Sequence, residues 1–154
     1  MIQRIQSVYL LVVTILSVIV LFSPVSFITT SATIFDLSYK GFTATPPLDA
    51  LHINTYPLNL IAILIPLVAF VSIFLYKKRK LQVRLSIINF VLIDVYYVVM
   101  LAFMWLADMR LGLPSRWGYH LAASLPAINM VLTFLAIRGI QKDEKLVRSL
   151  DRLR

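Results

Sequence analysis

Two apolar runs are held apart by Lys77-Lys78-Arg79-Lys80-Leu81-Gln82-Val83-Arg84, which carries five positive charges and no acid. Each run is long enough to cross a bilayer, since roughly 20 apolar residues match a hydrocarbon core about 30 Å thick. A basic turn between two such runs is hard to translocate and predicts a cytoplasmic position. That placement constrains the threading of every other segment.

The apolar content supports a membrane reading. Hydrophobic residues make up 60% of the 154 and mean hydropathy is +0.86, against about 45–50% apolar in soluble domains. Four spans are expected, at 8–28, 57–76, 85–107 and 121–137, forming one membrane domain with no soluble partner domain. The first run exceeds the roughly 7–15 apolar residues of a secretion signal, so it reads as a retained helix.

The basic residues divide unevenly. Arg4, the five in the turn, and Arg138, Lys142, Lys145, Arg148, Arg152 and Arg154 fall on one side of this threading; Lys40, Arg110 and Arg116 fall on the other. An even number of passes with both termini in the cytoplasm follows the positive-inside rule. The expected fold class is an all-α, four-transmembrane-helix bundle with a short outer loop. Thr33, Phe35, Leu37 and Tyr39 alternate with Ile34, Asp36, Ser38 and Lys40 before Gly41, a weak strand pattern consistent with a small outer hairpin. Pro46-Pro47 breaks any regular element after it.

Within the spans, Asn59, Ala62, Pro66, Ala69 and Ser72 recur at steps of three or four, as do Ala122, Pro126, Asn129, Thr133 and Ala136. Small and polar residues on one face let membrane helices approach closely. Trp105, Trp117 and Tyr119 suit an interfacial belt at the outer surface.

Several stretches together resemble a known family. They are Met1-Ile2-Gln3-Arg4-Ile5-Gln6-Ser7-Val8-Tyr9-Leu10, the turn Lys77 to Leu85, Ala136-Ile137-Arg138, Lys142 to Ser149, and Asp151-Arg152-Leu153-Arg154. These are similar to domain-of-unknown-function family 4293, small four-span membrane proteins of the Bacteroidetes. The resemblance implies a Gram-negative inner membrane and no particular activity.

Asp94 is the most unusual residue, because an ionised carboxylate near mid-membrane costs roughly 2.5–3.5 kcal/mol on insertion scales. Asn129 lies at a matching depth on the fourth span, which should pack antiparallel to the third. An Asp94–Asn129 pair inside the bundle is expected, with Tyr97 one turn from Asp94 and Thr133 one turn from Asn129. Asn89 lies about 140° around the helix from Asp94 and should serve another neighbour. Such a pair acts either as a helix lock or as a proton or cation relay. One intramembrane acid with no buried base favours the lock.

No cysteine is present, which excludes disulfide and thiol chemistry and Cys-ligated metals. His52 and His120 lack ligand spacing with acids. No phosphate loop, zincin or hydrolase motif occurs, so neither enzyme activity nor a cofactor is expected. Lys77, Lys78, Arg79, Lys80 and Arg84 read as topology signals at anionic lipid headgroups. The tail from Gln141 to Arg154 reads as a helix continuing into the cytoplasm. Leu146, Leu150 and Leu153 form a seam beside Arg148, which suits a protein partner. Nucleic acid is not expected, since no aromatics interleave with the basic groups. The expected function is a non-enzymatic accessory or scaffold subunit of a membrane assembly; the alternative is a small oligomeric transporter or channel using Asp94.

Overall fold

A computed structural model describes residues 3–31, 33–45, 53–112 and 114–151. Four helices dominate: α1 (Gln3–Phe22), α2 (Tyr56–Phe74), α3 (Arg79–Leu111) and α4 (Leu125–Asp151). Each is long and apolar enough to cross a membrane. They run up and down, and each packs on its sequence neighbours, with α4 closing the ring against α1.

The buried positions explain the packing. On α1 they are Gln6, Leu10, Val13, Ser17 and Val20; on α3 they run Gln82, Ser86, Asn89, Ile93, Tyr96, Met100. On α4 they are Pro126, Asn129, Thr133, Ala136, Ile140 and Asp143. Steps alternate between four and three, the repeat that keeps one seam facing a neighbour in a left-handed bundle. On α2, Ala62, Pro66, Ala69 and Ser72 are buried as the small-residue pattern predicts, while Asn59 is only half-buried.

The segments joining the helices at the end away from the basic turn form a sheet. Strands β1 (Ser26–Thr29), β2 (Ile34–Ser38), β3 (Gly41–Thr45) and β4 (Arg116–Tyr119) are ordered β3-β2-β1-β4, all antiparallel. The expected hairpin is β2–β3, turning at Tyr39-Lys40 into Gly41, whose φ of 97° suits glycine. β1 and β4 come from different connections, with Phe27 opposite Gly118. A Cβ at Gly118 would lie 2.1 Å from the Phe27 ring, so only glycine leaves room for that ring.

The all-α expectation is therefore corrected: the protein is mostly helical, with a four-stranded sheet. The expected first span of 8–28 is corrected too. α1 ends at Phe22, just before Pro24, and residues 26–29 pair in the sheet. A proline cannot donate a helical hydrogen bond and disfavours helix at the residue before it. α3 is longer than expected at both ends, and its far turns support the sheet: Ser26 Oγ donates to Met104 Sδ at 3.1 Å. α4 runs without a break from the expected span into the tail.

Candidate functional site: a polar interior in an apolar shell

The interior of the bundle has two halves. Toward the sheet it is apolar, with Val20, Leu58, Ala62, Ile65, Ile93, Tyr96 and Met100 continuous with Val25, Ile28, Phe35 and Leu37 of the sheet segment. Toward the basic turn polar side chains join the core: Ser17, Ser72, Gln82, Ser86, Asn89, Asn129, Thr133, Gln6 and Asp143 are buried beside Leu10, Val13, Ala69, Ala136 and Ile140. The exterior of the helices is apolar. Leu11, Ile15, Leu60, Phe70, Ile88, Val98, Val131 and Phe134 are exposed on the four helices. Water would drive the opposite distribution.

Two networks cross this polar half. In the middle, Asn129 Nδ2 donates to Ser17 Oγ at 3.0 Å, and Ser17 Oγ donates to the Val13 carbonyl at 2.7 Å. Near the basic turn, Gln6 Nε2 donates to the Asp143 carboxylate at 2.7 Å, and Arg79 Nη1 donates to the Asp143 carbonyl at 3.2 Å. Asp143 thus joins α4 to the first helix and to the start of the third. Gly139 lets α1 approach there, since a Cβ would stand 3.0 Å from Gln6 Cγ.

Among the described residues, five buried side-chain atoms find no protein partner: Asn89 Oδ1 and Nδ2, Asn129 Oδ1, Ser86 Oγ and Thr133 Oγ1. Each such atom costs about 1–3 kcal/mol if left dry. A cavity of about 10 Å³ borders Ser17, Ile93, Pro126 and Asn129, room for about one water molecule. Apart from the Asp143 carboxylate and the Arg79 guanidinium, these groups are neutral amides and hydroxyls. They can hold water or lock helices, but they carry no titrating charge through the bundle.

The expected Asp94–Asn129 pair is not formed. Asp94 is exposed on α3, and no hydrogen bond or ion pair reaches it among the described residues. The inward stripe passes through Asn89, Ile93 and Tyr96, which turns position 94 outward. The 140° separation of Asn89 and Asp94 holds, but Asn89 is the inward member. The two depths do agree, because Arg79 ties α3 to α4 and Tyr97 ties α3 to the turn just before α4, both in antiparallel register. Tyr97 donates its hydroxyl to the Ala123 carbonyl at 2.6 Å rather than serving Asp94. Thr133 shares the buried face of Asn129 as expected, and Asn59 Nδ2 caps the Tyr39 carbonyl at 2.7 Å, outside the bundle core.

Among the basic residues of the turn, Lys78, Lys80 and Arg84 are exposed, whereas Arg79 is half-buried against Asp143; the Lys77 side chain lies outside the described residues. So do the side chains of Leu146, Arg148 and Leu150, as do Leu153 and His52. His120 Nε2 lies 2.9 Å from Asp36 Oδ1, with its ring 5.1 Å from that of Phe27, at the sheet surface.

Sequence reasoning missed Gln6, Ser17, Gln82, Ser86 and Asp143. The signal was there: Gln6, Leu10, Val13, Ser17 and Val20 already step by four and three along the first run.

A family model described as "Domain of unknown function (DUF4293)" matches residues 2–153. No curated protein and no solved structure matches the chain.

Proposed function

We propose, for a chain that belongs to the DUF4293 family, a role as a non-enzymatic integral subunit of an inner-membrane assembly, with both termini in the cytoplasm. The observation that carries this reading is the outer face of the bundle, where leucines, valines and phenylalanines are exposed on all four helices, while amides and hydroxyls are buried among the core residues. A bilayer rewards that arrangement. The uneven division of basic residues supports the orientation. Anionic headgroups would then meet Lys78, Lys80 and Arg84, and α4 would carry residues 145–151 into the cytoplasm as the docking helix.

Truncation tests the docking role. Asp143 is buried and holds Gln6, so the deletion must begin at Lys145 to spare that contact. Mild-detergent purification of full-length and truncated protein should show a defined membrane-protein partner that is lost with residues 145–154. If the truncated chain retains every partner, the docking role fails. A reporter fused after Arg154 should be active only in the cytoplasm.

The second reading, a small oligomeric transporter, is favoured by one observation. An acid on the outside of the bundle could line a path only between subunits. Asp94→Asn keeps hydrogen bonding and removes ionisation, so an unchanged phenotype in a well-expressed variant speaks against transport.

A further inference from the structure

Asp94 is a carboxylic side chain placed where the proposed membrane reading puts lipid. On α3 it stands ten residues from exposed Arg84 and eleven from exposed Trp105. At 1.5 Å per residue these are about 15 Å and about 16.5 Å. Arg84 and Trp105 are headgroup-level residues by type, so Asp94 sits midway through the hydrocarbon. Lipid tails offer it no hydrogen-bond partner, and a polar group there is costly unless another protein surface covers it.

The neighbours of Asp94 define that surface. Ile87, Val91, Asp94, Val98, Leu101 and Trp105 step by four and three along the outside of α3, and all are exposed. This is a second seam with the repeat of the inward one, on the far side of the same helix. A single polar residue in an otherwise apolar seam sets register and partner number at some loss of stability.

We infer that two copies of this chain pair through the outer face of α3, with Asp94 of each copy meeting Asp94 of the other. Copies inserted in one orientation are related by a two-fold axis along the membrane normal, which brings every residue to its own depth. A carboxyl group is self-complementary there, since its protonated form donates and either form accepts. Two facing carboxyl groups share protons and satisfy each other, as in paired-acid sites. None of the four expected spans contains a lysine or arginine, so the chain offers no base of its own to Asp94. The inference rests on the membrane reading, and its partner is the chain itself, not the partner sought for the tail.

The absence of cysteine makes the test direct. Single cysteines are introduced at Val98, on the seam, and at Leu67, exposed on α2, in full-length protein in lipid vesicles. Oxidation should cross-link the Val98→Cys chain into dimers and leave the Leu67→Cys chain monomeric. Adding Asp94→Leu should weaken dimerisation about five- to thirtyfold, the range expected of a membrane hydrogen bond of model-peptide strength. Asp94→Asn should retain it, and Asp94→Lys should fail alone but pair with unsubstituted chain. Helix content by circular dichroism confirms that each variant is folded. Equal cross-linking at both sites, or dimers indifferent to Asp94→Leu, would overturn the proposal. So would Asp94-dependent capture of a different protein in place of self-association. That last outcome leaves the subunit reading intact, whereas a chain that fails to enter vesicles as a spanning protein defeats the membrane reading itself.

Discussion

Gln6 donates its side-chain amide to the carboxylate of Asp143 at 2.7 Å, joining residues 137 positions apart inside the bundle. The contact closes the ring of helices by fixing the first to the last. Removing the donor leaves a buried acid facing an apolar gap. Gln6→Leu should lower stability by about 1.5–3 kcal/mol, the range for a hydrogen bond to a charged group. Reversible unfolding in mixed micelles measures this. Asp143→Asn should lose less, since an amide still accepts from Gln6. Wild-type stability in Gln6→Leu would show the contact to be incidental.

Gly139 sets how closely α1 and α4 approach at that contact. Gly139→Ala places a Cβ 3.0 Å from Gln6 Cγ, and the flexible glutamine can yield. The change should be small, within about 1 kcal/mol, helped by the better helix propensity of alanine. Gly139→Leu cannot be accommodated that way and should cost about 1–3 kcal/mol by overpacking. Similar melting of the two variants would rule out close approach as the reason for glycine.

Asn129 and Ser17 lock α4 to α1 at mid-bundle. Interhelical hydrogen bonds in membranes average about 0.6 kcal/mol in double-mutant cycles. The coupling between Asn129→Ala and Ser17→Ala should be of that size and no larger than about 1.7 kcal/mol. The same cycle between Asn129→Ala and Asp94→Ala should give no coupling, because these side chains point apart. A sizeable coupling there would reinstate the mid-membrane pair.

Gly118 faces Phe27 across the β1–β4 ladder. A Cβ there would stand 2.1 Å from the Phe27 ring, so Gly118→Ala should destabilise the sheet by about 1–3 kcal/mol. Phe27→Ala should relieve most of that loss in the double variant. His120→Ala removes a partly exposed contact with Asp36 and should cost under about 1 kcal/mol. Limited proteolysis of the β2–β3 hairpin reports both effects.

Asp94→Leu should not weaken the isolated bundle. An outward acid makes no internal contact to lose, and the third span should insert more readily by about 2.5–3.5 kcal/mol on translocon scales. Glycosylation-mapped insertion of that span measures the gain. An unchanged insertion threshold would mean that position 94 is not at hydrocarbon depth.

The chain's own residues determine that four apolar helices form and that small and polar side chains share a face on the second and fourth. Length, hydropathy and step spacing are local properties, and they survive any arrangement of the helices. The β2 pattern before Gly41 was legible for the same reason. Which face of α3 points inward was not, because a helix apolar nearly all round offers two seams of equal spacing. Asp94 and Asn89 were both eligible, and only packing against α2 and α4 chose Asn89. Likewise, nothing near Gln6 announces Asp143, and nothing near Ser26 announces Trp117 or Tyr119. Those pairings cross most of the sequence, and they exist because antiparallel helices return the chain to the same height.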